Sequence, residues 1–192
     1  MNHQDYTNIT TRELLEALIG VEATEARYEG ALRPLFEANQ HSASEELWPL
    51  LAARELLRRW AAEEVRRVEP FASPEVIKLY LQLAFAGQGY ESFVVLYLDA
   101  QHRLLEAEES FRGTLTQTAV YPREIVKRAL YWNAAAVLFA HNHPSGLAEP
   151  SRADEHLTQS LKTALSLVDV RVLDHFVIAG NSVTSFAERG LL

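Results

Sequence analysis

The chain has 192 residues, room for one ample domain or one domain with a small appendage, and its 48% hydrophobic and 23% charged content is that of a globular protein rather than a disordered one. It contains no cysteine, which excludes disulfides, zinc fingers and thiolate-held metals and leaves nitrogen and oxygen as the only ligands for an ion. A net charge of −8, with 8 basic against 13 acidic side chains in residues 1–70 and 10 against 13 in residues 71–192, argues against an indiscriminate nucleic-acid binder.

The opening Met1-Asn2-His3-Gln4-Asp5 lacks the basic segment and apolar core of a signal peptide, and no apolar run approaches membrane-spanning length; the expected location is the cytoplasm, with no membrane partner. Thr11 to Leu18 opens with a capping residue and has the apolar spacing of a short helix that Gly20 ends. A second short helix is expected between Glu22 and Leu32. After Ser44, the residues Leu47, Leu50, Leu51, Leu57, Ala61 and Val65 recur at steps suited to one buried helix face, with Pro49 in the first turn. The arginines at 54, 58, 59, 66 and 67 read as a solvated, salt-bridged face in preference to a DNA-facing stripe. Prolines at 70 and 74 mark a boundary, so that residues 1–70 form an N-terminal helical region and residues 71–192 a second domain.

In that second domain a helix capped by Ser73 carries Val76, Ile77, Leu79, Tyr80 and Leu83 and ends near Gly87 or Gly89. Phe93 to Leu98 is β-rich and nearly all apolar, hence a central strand, and it turns at Asp99 to His102 into a second strand from about Arg103 to Phe111. Arg112-Gly113-Thr114 breaks that hairpin. Pro122 suits the first position of a helix through Trp132, and Ala134 to Ala140 is a buried strand. Ser151 to Leu167 is a helix; Val170 to Ala179 and Ser182 to Phe186 form a hairpin around Gly180-Asn181. The fold class is α+β, a mixed β-sheet flanked by helices with a small N-terminal helical region.

The chemistry gathers where the second buried strand ends. His141 and His143 are two apart, so on a strand they point to one face while Asn142 points away. Ser151 is the expected N-cap of the next helix and Asp154 lies in its first turn, where its carboxylate can face the imidazoles. Two nitrogens and one carboxylate oxygen make three protein ligands, the number found at catalytic zinc sites that keep a fourth position for water. Taken separately, Ser-x-x-Asp is close to a capping box and His-x-His can be simple strand termination; their conjunction across a Pro- and Gly-shaped loop favours a metal, with Zn2+ expected. Hydrolysis at such a site also needs a base, and Glu91, Glu108, Glu109, Glu149 and Glu155 are available without spacing that chooses among them. Ser151 serves as cap and as a candidate oxyanion stabiliser. Asp174 and His175 could supply a supporting carboxylate or an extra imidazole, but adjacent residues on a strand point to opposite faces, so both cannot serve one site without a bulge, and a structural hydrogen-bonding role is favoured. His3, His41, His102 and His156 lack metal-like spacing and are read as surface residues.

H-x-H, seven residues, then S-x-x-D resembles the JAMM (MPN+) metalloprotease signature. Tyr121-Pro122-Arg123-Glu124, His141-Asn142-His143-Pro144-Ser145-Gly146, Pro150-Ser151, Asp174-His175 and Ser185-Phe186-Ala187-Glu188-Arg189-Gly190 together resemble the bacterial RadC family over about residues 71–192. The resemblance implies a JAMM/MPN-like domain with cytidine-deaminase-like layering. His141, His143 and Asp154 are then zinc ligands, and the family's catalytic glutamate falls on Glu91, at the head of the strand after the domain's first helix. A peptide or protein substrate is implied, cleaved at a peptide or isopeptide bond. The family's name suggests a DNA-associated protein as the alternative, and its N-terminal part resembles a helix-hairpin-helix module. Here Ser42 to Glu46, where the hairpin should fall, has no glycine and two acidic residues, so DNA is not the favoured partner. A noncatalytic zinc module is a third reading, which the presence of Glu91 disfavours.

Overall fold

A computed structural model describes residues 9–37, 45–67, 74–112 and 120–192. The chain divides into two compact units, Met1–Leu57 and Arg58–Leu192. The expected break at Gly113-Thr114, the residues from Glu69 to Ser73, and Ser42 to Ser44 fall outside the described residues.

The first unit is helical. Helix α1 (Thr11–Ile19) is capped by Thr10 rather than Thr11: the Thr10 hydroxyl accepts from the Glu13 N–H while the Glu13 carboxylate accepts from the Thr10 N–H. Helix α2 (Val21–Arg27) is shorter than expected, and an unanticipated α3 (Arg33–Glu37) follows; Gly30 at φ +95° separates them in a conformation no helix tolerates. A 3-10 turn at Glu45–Leu47 leads into α4 (Trp48–Arg67), with Pro49 in the first turn as expected. Leu15, Leu35, Leu47 and Leu50 form the core of this unit. Leu57 is 52% exposed, against the expectation that it is buried. One turn beyond Leu50 and Leu51, the Arg54 guanidinium donates to the Phe36 carbonyl.

The second unit is built on a five-stranded sheet in the order β2-β1-β3-β4-β5, from β1 (Ser92–Leu98), β2 (Leu104–Arg112), β3 (Ala136–Asn142), β4 (Arg171–Ala179) and β5 (Ser182–Ser185). It is mixed: β3 and β4 are parallel and every other neighbouring pair is antiparallel. Strand alternation sorts the apolar residues into two layers. Val94, Leu96, Leu98, Ala136, Leu138, Ala140, Phe176 and Ile178 pack with Ala61, Val65 and Leu81, the last from α5 (Pro74–Phe85). On the other face Phe93, Val95, Tyr97, Val137 and Phe139 pack with Ile125 and Ala129 of α6 (Pro122–Tyr131) and Leu161 and Leu165 of α7 (Arg152–Ser166). Helices on both faces of a mixed sheet make the fold α+β, as the sequence predicts. No described helix is long and apolar enough to cross a membrane.

Parallel strands need a crossover, and α7 supplies it between β3 and β4. The crossover helix must begin beyond the carboxyl end of β3, so topology alone brings the first turn of α7 to the place where the two histidines emerge.

Candidate metal centre

Strand β3 runs further than the apolar stretch suggests, through His141 and Asn142. His141 continues the face of Val137 and Phe139, is paired in register with Phe93, and is only 7% exposed. The His143 N–H donates to the Ile178 carbonyl at 2.8 Å, carrying the β3–β4 pairing one step past the strand and keeping His143 on the same face. A turn closes from the Gly146 N–H to the His143 carbonyl, with Gly146 at φ +85°, and redirects the chain to α7. Ser151 caps α7: its hydroxyl accepts from the Asp154 N–H at 3.2 Å, and its own O–H and N–H donate to Asp154 Oδ2, both at 2.7 Å.

These two elements bring the predicted donors together. Ligand atoms of His141, His143 and Asp154 lie within 4.8 Å of one another. His141 Nε2 is 2.9 Å from His143 Nε2 and 3.4 Å from Asp154 Oδ1, and His143 Nε2 is 3.6 Å from Asp154 Oδ2. Tetrahedral zinc with bonds near 2.0–2.1 Å spaces its ligand atoms roughly 3.3 Å apart, so the donor set fits that ion in number, chemistry and spacing. His143 Nδ1 lies 2.8 Å from the Leu147 carbonyl, which can only accept; Nδ1 therefore carries a proton and Nε2 is the atom presented to the site.

The electrostatics suit a cation. Burial works to raise the pKa of Asp154, but hydrogen bonds from His141, His143 and Ser151 hold it well below the usual carboxylate range. The hydrogen bond with Asp154 raises the pKa of His143 against the cost of burial, and the Leu147 carbonyl and the charges of Asp154 and Glu91 act in the same sense.

That last influence separates Glu91 from the other glutamates. Glu108 binds Arg128 and the Trp132 indole, Glu109 binds Arg112, Glu149 binds Arg189, and Glu155 acts electrostatically on Arg189. Glu91 is half-buried just ahead of β1, and its backbone is fixed by Asn142. The Asn142 amide oxygen accepts from the Ser92 N–H at 2.7 Å and its NH2 donates to the Tyr90 carbonyl at 2.9 Å, gripping the residue on each side of Glu91. Asn142 points away from the ligands, as strand alternation requires, and this second duty was not foreseen. Its signal lay in the register: an amide on the last residue of a buried strand needs polar partners, and the chain beside it is the start of β1.

Asp174 and His175 take opposite faces, as expected. Asp174 accepts from the His175 and Ala187 N–H groups at 2.7 and 2.9 Å and from the Ser185 hydroxyl at 2.5 Å, tying the chain after β5 to β4. His175 does more than the structural part assigned to it. Its ring is fully buried, its Nε2 lies 2.8 Å from His141 Nδ1, and its Nδ1 lies 2.7 Å from the hydroxyl of Thr158, which sequence reasoning passed over. The spacing of Thr158, one helical turn after Asp154, was the available signal. Burial, and then the proximity of His141, push the His175 pKa well down, so the ring is neutral. Of the other histidines, His102 contacts Arg171 and the exposed His156 lies against the Arg152 carbonyl; neither approaches the ligand set.

Residues 71–191 match the family model described as RadC-like JAB domain. A UPF0758 protein of Methylibium petroleiphilum is 57% identical over 175 residues, covering 91% of this chain and 76% of its own. A UPF0758 protein of Nitrosomonas eutropha is 56% identical over 170 residues, 85% of this chain and 76% of its own, and one of Leptothrix cholodnii is 62% identical over 143 residues, 74% and 64%.

Proposed function

Since the chain belongs to the RadC family, with a JAB domain over residues 71–191, we propose that it is a zinc-dependent hydrolase of the JAMM type that cleaves an amide bond, peptide or isopeptide, in a protein or peptide substrate. The observation that carries this reading is the convergence of His141, His143 and Asp154, donors from a strand end and a helix start that meet within 4.8 Å. When bound, Zn2+ supplies Lewis-acid polarisation of a water and of the substrate carbonyl. His141 and His143 would hold it through Nε2 and Asp154 through a carboxylate oxygen. Asp154 is suited to this because Ser151 locks its orientation and the N-terminus of α7 favours its negative charge.

Glu91 is assigned the proton traffic. It takes a proton from the water that adds to the carbonyl carbon and delivers it to the nitrogen as the C–N bond breaks, so that one water is consumed and a carboxylate and an amine leave. Its electrostatic reach to His143 and the grip of Asn142 on both its neighbours support the choice. Ser151 is assigned first to holding Asp154; to serve a developing oxyanion as well, its hydroxyl proton must turn from Asp154 Oδ2 and leave the Ser151 N–H to hold the carboxylate.

The test pairs two variants of the full chain, scored by zinc content and by turnover on a panel of peptide and isopeptide substrates. Asp154→Ala should lose zinc and activity together. Glu91→Gln should keep zinc while losing ~100- to 10,000-fold in rate, the usual worth of a general base. Wild-type turnover in zinc-loaded Glu91→Gln would remove Glu91 from the mechanism, and full zinc content in Asp154→Ala would leave Asp154 as a helix cap alone.

A further inference from the structure

We infer that Thr158 and His175 are positioning residues that fix a proton on Nδ1 of His141, so that Nε2 is the ring atom left to take an ion. The inference rests on the metal-site reading above and adds to it two residues that touch neither substrate nor ion.

Protons are ordered along a chain of four groups: the Asp154 carbonyl, Thr158, His175 and His141. Thr158 Oγ1 is 2.6 Å from the Asp154 main-chain carbonyl. A carbonyl oxygen has no proton to give, so the Thr158 hydroxyl must donate there, the usual bond of a helical threonine to the residue four before it. With its proton committed, Thr158 Oγ1 can only accept from His175 Nδ1, 2.7 Å away. His175 therefore carries its single proton on Nδ1 and offers a lone pair at Nε2. That lone pair faces His141 Nδ1 at 2.8 Å, so His141 is the donor there and holds a proton on Nδ1. Its Nε2 is left to face His143 and Asp154. Each link admits one direction only, because the carbonyl at the head of the chain cannot donate.

The surroundings leave the His175 ring little freedom to escape the relay. His175 is fully buried, stacked on Phe186 with centroids 4.7 Å apart and met edge-on by Phe93 and Phe139. The relay also begins and ends on the ligand set: its anchor is the main-chain carbonyl of Asp154 and its terminus is the ring of His141. One helical turn of α7 thus sets both the third donor and the protonation pattern of the first. His143 reaches the same tautomer independently through Leu147, which makes it an internal control.

Thr158→Val keeps the shape and removes the hydroxyl. His175 Nδ1–H then loses its acceptor, and the ring is released to place its proton on Nε2, against His141 Nδ1; His141 must in turn put its proton on Nε2, where a ligand lone pair is required. The experiment reads histidine ring nitrogens by long-range 1H–15N NMR on the full metal-free chain, and Zn2+ affinity by competition with a chromophoric chelator. In the wild type, Nδ1 of both His141 and His175 should be protonated and Nε2 of His175 should not. Thr158→Val should shift His175 toward the Nε2–H form, leave Nδ1 of His143 protonated, and weaken Zn2+ binding about 10- to 100-fold. Thr158→Ser, which restores the hydroxyl, should recover wild-type spectra and affinity.

A wild-type chain that binds Zn2+ with His175 protonated at Nε2, or a Thr158→Val chain that binds Zn2+ as tightly as wild type, would overturn the positioning role and leave the metal site standing. Failure of the wild type to bind Zn2+ at all would overturn the metal reading and the inference with it.

Discussion

Asn142 stands between His141 and His143, two candidate metal donors, yet works on the opposite side of the sheet, and the division follows from the period of a strand. Its amide satisfies a buried N–H on Ser92 and a carbonyl on Tyr90. Asn142→Ala should therefore cost about 1–3 kcal/mol of stability by leaving buried polar groups unpaired. It should also slow turnover by loosening Glu91 while leaving zinc content unchanged, since the ligands are held by other contacts. Thermal melts, elemental analysis and kinetics on one preparation separate the three; loss of zinc would mean that Asn142 supports the ligands and not the glutamate. At this scale the sequence was informative where residues act through local geometry. The i, i+2 spacing of the histidines and the N-cap at Ser151 are set by neighbours along the chain. The roles of His175, Thr158 and Asn142 depend on partners 34, 17 and 50 positions away, and local spacing reached only the bond of Thr158 to the Asp154 carbonyl.

Among the elements, those with strong internal signals emerged close to their expected limits: the nearly all-apolar β1, the hairpin at Gly180-Asn181, and α6 with Pro122 at its start. Misses fell where a tertiary partner overrides a local cue. Strand β3 runs through His141 and Asn142 because β1 pairs with it as far as His141 and β4 as far as Asn142. The join of β2 to α6 supplies a test at this level. Glu108 on β2 accepts from Arg128 and from Trp132 Nε1, and its pKa is lowered, chiefly by the Arg128 hydrogen bond. A carboxylate whose folded pKa is depressed contributes stability that is fully present above its unfolded value of about 4.3 and is lost as pH falls through the folded value. Glu108→Gln should thus be less stable than wild type near neutrality, and the gap should narrow as pH drops below about 4. Urea midpoints measured across that range check it; a gap independent of pH would mean that the carboxylate's charge contributes nothing to the join.

For the molecule as a whole, the sheet order matters most, and it was the least legible part of the sequence. Hairpins are written in turns, but the antiparallel pairing of β1 with β3 and the parallel pairing of β3 with β4 join segments separated by whole helices. Those two pairings make the centre: one brings the start of β1, with Glu91, beside the end of β3, and the other obliges α7 to begin there with Asp154. The RadC-like JAB domain match spans this arrangement, from ahead of α5 to beyond β5. The most direct measurement is a crystal structure of the zinc-soaked chain with anomalous data at the zinc edge. The account predicts one strong peak bonded to His141 Nε2, His143 Nε2 and an Asp154 oxygen, with the Glu91 carboxylate within one water of it. A peak elsewhere, or His141 bound through Nδ1, would contradict it.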